Sequence, residues 1–173
     1  MQINKHVHAI KIPFTITTPS GVIIDRFVYV YLIYGTNGVY LLDSGVASSE
    51  QALFSGDAIP VPSEMPVYED VLASVASVRK LQAIKDVRYL LPSWDEPRQG
   101  VAVYPRMEEG LQYLQRIHDA VRTCSGKSAE PDLLEVTRCV LKEISLPPEL
   151  ANPIVARSIA AHLTLRDHKN IIG

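Results

Sequence analysis

Apolar positions divide the chain into two textures. From residue 6 to residue 55 they alternate or run unbroken, and from residue 66 onward they return at the spacing of a helix. Residues 6–14 alternate, with Val7, Ile10 and Ile12 set among polar neighbours, and predict a strand. "TTPSG" at 17–21 is a turn signal. The stretch "DRFVYVYLIYGTNGVYLLDSG" predicts two strands, 27–34 and 39–42, joined by 35–38, where Asn37 and Gly38 give a hairpin signal. A short strand at 52–55 follows.

Beyond Pro66, residues Tyr68, Val71, Leu72, Val75, Val78 and Leu81 share a helical face, and Pro66 suits a first-turn position. A buried strand at 87–91 breaks at Pro92. Three further helices follow, one opening at Pro105 and carrying Met107, Leu111, Leu114 and Val121. The next opens at Pro131 and Asp132 and carries Leu133, Leu134, Val140, Leu141 and Ile144. The last opens at Asn152 and Pro153, a cap followed by a first-turn proline, and carries Val155, Ile159 and Leu163. No internal repeat interrupts this order, and a soft boundary falls at 124–130.

Composition adds bounds. The 173 residues, 47% hydrophobic and 21% charged, suit a soluble globular domain. A domain of that length buries roughly 70% of its unfolded surface, so any metal would serve chemistry rather than hold the fold. A formal charge of −2 with no Lys/Arg run argues against nucleic acid and anionic membranes. No apolar stretch reaches the length of a membrane span, and residues 1–14 lack a signal-type apolar region. Cys124 and Cys139 lie in helical segments without Cys-x-x-Cys spacing, which reads as two buried thiols in a reducing cytoplasm.

Three strands end on acidic residues: "LLDSG" at Asp43, "LFSGDAI" at Asp57, and "LLPSWDEP" at Asp95 and Glu96. A strand end is rigid and the loop after it is open, so such carboxylates suit ligand binding. In this order and with these neighbours the chain resembles the metallo-β-lactamase superfamily, the αββα-sandwich metallohydrolases. "YLIYGTNGVYLLDSGVASSE" is similar to that fold's N-terminal hairpin, and "ALFSGDAIP" to its Gly-Asp strand end. "YEDVLASVASVRKLQAIKDVRYLLPSWDEP" is similar to the helix and strand before the loop that supplies its last histidine.

The resemblance implies an incomplete α/β sandwich over residues 1–125 and a helical extension over 126–173. It implies Asp57 as a metal ligand, Asp43 as a carboxylate orienting the metal site, and hydrolase ancestry with zinc or iron as the metal. Asp95 is a weaker candidate ligand. Trp94 stands where the family has its last histidine, and with Glu96 it lines a pocket or anchors the loop. The signature His-x-His-x-Asp-His is absent, because the chain passes straight from Gln51 to Ala52 where that segment would lie.

A catalytic zinc needs about three converging protein ligands. His6 and His8 form His-x-His on the first strand without the Asp-His that would follow; His118 and His162 sit among apolar helix neighbours, and His168 in a polar tail. Ser44 and Ser55 lie outside any Gly-x-Ser-x-Gly turn. Three functions remain: a protein of hydrolase ancestry with an incomplete metal centre, an active hydrolase with ligands partly from another chain, and a non-enzymatic interaction module. The substrate, a small molecule in the enzymatic readings, is not fixed by these residues. Loss of the middle of a sandwich leaves apolar edges to cover, so a homodimer is expected, by strand edges or C-terminal helices.

Overall fold

A computed structural model describes residues 1–17, 21–36, 38–42, 52–126 and 132–173. The chain is mixed α+β and packs as two compact units, residues 1–57 with 85–103, and residues 58–84 with 104–173. Residues 125 and 126, where a division was expected, both lie in the second unit.

The first unit holds two three-stranded sheets. Strand β1 (Val7–Thr17) and strand β2 (Ile23–Gly35) pair antiparallel from Val7↔Ile33 to Thr17↔Ile23, and both outrun their apolar cores because the register stays in step. β2 then pairs with β3 (Gly38–Leu42), the Gly35↔Gly38 pair closing the hairpin that the Asn-Gly signal predicts. The N-terminus doubles back on β1: the Ala9 amide donates to the Met1 carbonyl at 2.8 Å. In the second sheet β4 (Ala52–Gly56) runs parallel to β5 (Tyr89–Pro92), and β6 (Arg98–Gln99), which no sequence pattern announces, pairs antiparallel with β5. Every residue of β4 is buried, as expected of a short unbroken apolar strand.

Side-chain alternation assigns the inner face of the first sheet. Val7, Ala9, Tyr29 and Tyr31 pack with Ala52, Phe54 and Leu91 of the second, and the Tyr31 ring meets Phe54 edge to face at 5.1 Å. Polar anchors join the layers. The Tyr31 hydroxyl donates to the Pro92 carbonyl at 2.7 Å, the Tyr29 amide to the Ser93 carbonyl at 2.7 Å, and the Ser93 amide to the Gly56 carbonyl at 2.9 Å.

In the second unit helix α1 (Val71–Ala83) starts later than Pro66 suggests. Asp70 is its cap, accepting from the Ala73 amide, and Tyr68 lies outside the helix with its amide bonded to Ser158 Oγ at 3.0 Å. Helix α2 (Val103–Ser125) holds Pro105 in its first turn. Helices α3 (Leu133–Glu143) and α4 (Pro153–Leu163) start at the caps Asp132 and Asn152, the second of them as predicted, and each accepts from two backbone amides. Tyr113, Ile117 and Val121 of α2 share a core with Val136 and Val140 of α3 and Ile159 of α4. Gly110 of α2 has a packing reason, since a Cβ there would stand 2.8 Å from Ile59 Cγ2.

Asp132→Ala removes the acceptor for the Leu134 and Glu135 amides and is expected to cost about 1 kcal/mol, which denaturant unfolding would register as a lower midpoint.

The cysteines correct the sequence reading. Cys124 and Cys139 are joined by a disulfide, with Cα atoms 5.9 Å apart. Their spacing carried no sign of this, because the contact depends on how the last turn of α2 meets α3. The buried-thiol argument for a reducing compartment falls with it. Among the described residues no helix is long and apolar enough to cross a membrane.

Candidate functional site

The parallel pair β4–β5 sets two of the acidic strand ends side by side. Gly56 is in register with Pro92, so Asp57 and the segment Ser93–Glu96 leave adjacent strands at the same end. Between Phe54 and Gly56 the register shifts, and Ser55 Oγ is buried there with no hydrogen-bond partner among the described residues. Asp57 is exposed. Asp43 lies outside the described residues, as does Ser44.

The other two carboxylates are engaged. Glu96 Oε1 accepts from Lys11 Nζ at 2.7 Å, and Glu96 Oε2 from the Tyr29 hydroxyl at 2.6 Å. Lys11 and Tyr29 are direct partners in the β1–β2 register, and the antiparallel pairing therefore aims both at one point. Lys11 Nζ also lies 3.8 Å from the centre of the Phe27 ring. Hydrogen bonds from Lys11 and then Tyr29 hold the Glu96 carboxyl below the ordinary glutamate range, against a smaller opposing effect of burial. The Tyr29 phenol is pushed up to about 12, by burial first and then by its bond to Glu96.

Asp95 forms an ion pair with Arg98, Nη2 to Oδ1 at 3.1 Å, and Oδ1 also accepts the Glu96 amide at 2.7 Å. Trp94 packs edge to face on Phe14 with ring centroids 6.0 Å apart. Thus the structure brings Asp57, Trp94, Asp95 and Glu96 to one end of two strands but commits Asp95 and Glu96 to cations and a phenol. Among the described residues no three His, Cys, Asp or Glu side chains lie close enough to share a metal ion. His6 and His8 sit at the far end of β1, where the His8 ring meets Tyr34 edge to face at 5.1 Å.

No family model and no curated protein matches this chain.

A second cluster lies in the other unit. His118 of α2 and His162 of α4 are fully buried, with Nδ1 atoms 3.3 Å apart. His118 Nε2 lies 2.9 Å from the His168 carbonyl, and His162 Nε2 lies 2.5 Å from the Tyr68 hydroxyl. With one proton on each ring, these contacts fix the tautomers. A carbonyl only accepts, so His118 carries its proton on Nε2 and offers a bare Nδ1. His162 must then donate from Nδ1 and accept at Nε2 from Tyr68. The chain Tyr68 → His162 → His118 → His168 carbonyl uses each proton once and has no place for another.

Burial, and then the neighbouring His118, lower His162 to about 3. Burial likewise raises the Tyr68 phenol far above the usual tyrosine value. Burial keeps His162 and the Tyr68 phenol uncharged, and the cluster ties three segments together. The two histidines are packed as their apolar neighbours predict; the partners Tyr68 and the His168 carbonyl gave no signal, lying 94 and 50 residues away in sequence.

Proposed function

We propose that this chain is a binding and assembly module of metallohydrolase ancestry in which the carboxylates of the loop after β5 are already engaged by partners within the chain. One observation carries the reading: both oxygens of Glu96 are taken by Lys11 and Tyr29, while Asp95 pairs with Arg98. A carboxylate neutralised by a cation and a phenol has to break those bonds before it can ligate a metal, which lowers its value as a donor. The ancestry rests on the strand-end motifs. The parallel adjacency of β4 and β5, which sets Asp57 beside the Ser93–Glu96 loop, is what an incomplete metallo-β-lactamase sandwich would retain.

Assays against a lactone, a thioester and a phosphodiester test the reading. Native protein and Asp57→Ala are expected to give the same background rate on all three. A rate in the native chain that is lost in Asp57→Ala would restore the hydrolase and overturn the proposal.

A further inference from the structure

The first sheet has a second apolar face. β2 contains the unbroken run Phe27–Tyr34, a pattern suited to a strand covered on both sides rather than to an antiparallel strand with one wet face. Its odd-numbered residues face the second sheet. Its even-numbered residues share the outer face with even-numbered residues of β1 through the pairs Ile10↔Val30 and Ile12↔Val28, and with β3 through Tyr34↔Val39. Ile10, Ile12, Tyr34 and Val39 are 41%, 45%, 41% and 57% exposed, and Val28, Val30 and Leu32 are half-buried between them.

These residues present roughly 500 Å² of apolar surface, as much as the largest patch a monomer ordinarily carries. Two such faces in contact bury about 1,000 Å², the lower bound for a specific interface. Among the described residues the centre of the face is uncharged, and Arg26 lies toward one end, paired with Phe14 and opposite the end that holds Tyr34 and Val39. A lipid surface is a poorer match, because an interfacial face needs a basic rim. Lys11, the lysine of this strand pair, is directed to Glu96 on the inner side.

We infer that the outer face of the β1–β2–β3 sheet docks a second copy of this chain, the two sheets packing face to face about a two-fold axis near Ile10 and Val30. This rests on the assembly reading above and names the surface and the partner.

Sedimentation equilibrium of the full chain from low to high micromolar concentration tests it. Native protein is expected to show a monomer–dimer equilibrium in that range. Ile12→Lys and Val39→Lys, both at exposed positions the fold tolerates, should each weaken it roughly tenfold or more, equivalent to about 1.4 kcal/mol. Ile10→Cys should cross-link two chains under mild oxidation, whereas Thr15→Cys, on the opposite face, should not. A monomer at the highest concentration, or a dimer that both lysine variants leave unchanged, would overturn the inference. Sedimentation with phosphatidylserine vesicles that is lost in Ile12→Lys would assign the face to a membrane and also overturn it. A metal-free monomer defeats the dimer without touching the ancestry reading; substrate turnover that depends on Asp57 defeats that reading whatever the size of the particle.

Discussion

Acidification from pH 7.5 to pH 4.5 is expected to destabilise the unit built on α1–α4 by about 2–3 kcal/mol through His162 alone, at 1.36 kcal/mol per unit of pKa shift. The sign follows from proton counting. An unfolded histidine titrates near 6.5, whereas folded His162 titrates near 3, so below pH 6.5 the unfolded chain binds the extra proton. Stability from this group is complete above 6.5 and falls as pH drops toward 3. By then the whole contribution, about 5 kcal/mol, is spent.

The groups bonded to the two rings are a phenol, another imidazole and a backbone carbonyl, none of which compensates a new positive charge. A proton on His118 Nδ1 would face the proton on His162 Nδ1. A proton on His162 Nε2 would require Tyr68 to accept instead of donate. Urea unfolding at stepped pH, followed by far-ultraviolet circular dichroism, measures the slope. His162→Leu should cost about 1–3 kcal/mol at pH 7.5, because it strands buried partners, and should flatten the dependence between pH 6.5 and 4. A native slope that the variant retains would contradict the neutral relay.

Reduction of the Cys124–Cys139 disulfide, or its removal by Cys124→Ser with Cys139→Ser, is expected to cost about 3 kcal/mol, the loop-closure entropy of a crosslink spanning roughly 15 residues. The crosslink ties the end of α2 to α3, whose Val136 and Val140 complete the core formed with Ile117 and Val121. Mass spectrometry of the alkylated chain before and after reduction reads the bond directly. Thermal unfolding with and without reductant should separate by several degrees. Equal midpoints, with both thiols already alkylated in the untreated protein, would contradict the structure here.

How much of this was legible depended on how local each cause was. The start of α4 was readable to the residue and that of α3 nearly so, because Asn152 and Asp132 satisfy amides two and three positions away and leave a mark in the sequence. The start of α1 was misread: Pro66 is a local signal, but the bonds of Tyr68 to Ser158 and His162 reach 90 and 94 residues along the chain and hold 66–70 out of the helix. The disulfide closes over only 15 residues and strand β6 pairs with the neighbouring β5, but neither leaves an apolar pattern in the sequence.

At the acidic strand ends the residues themselves were legible and their occupation was not. Asp57, Trp94, Asp95 and Glu96 could be picked out as strand-end side chains. That Lys11, Tyr29 and Arg98 would take the oxygens of Asp95 and Glu96 depends on the register of β1 against β2 and on the fold of the loop after β5. Charge pairing of this kind at an exposed site adds little stability, since Lys11 and Glu96 keep about half their side-chain surface in water. Its consequence is chemical: the oxygens already have partners.

Metal stoichiometry tests the account most directly. The full chain, expressed with zinc and iron supplied and purified without chelators, is expected to carry substoichiometric metal by inductively coupled plasma mass spectrometry, and Asp57→Ala the same trace. One or two tightly held zinc or iron ions per chain, lost in Asp57→Ala, would show a working centre and contradict the claim that Asp95 and Glu96 are withdrawn from metal binding by Arg98, Lys11 and Tyr29.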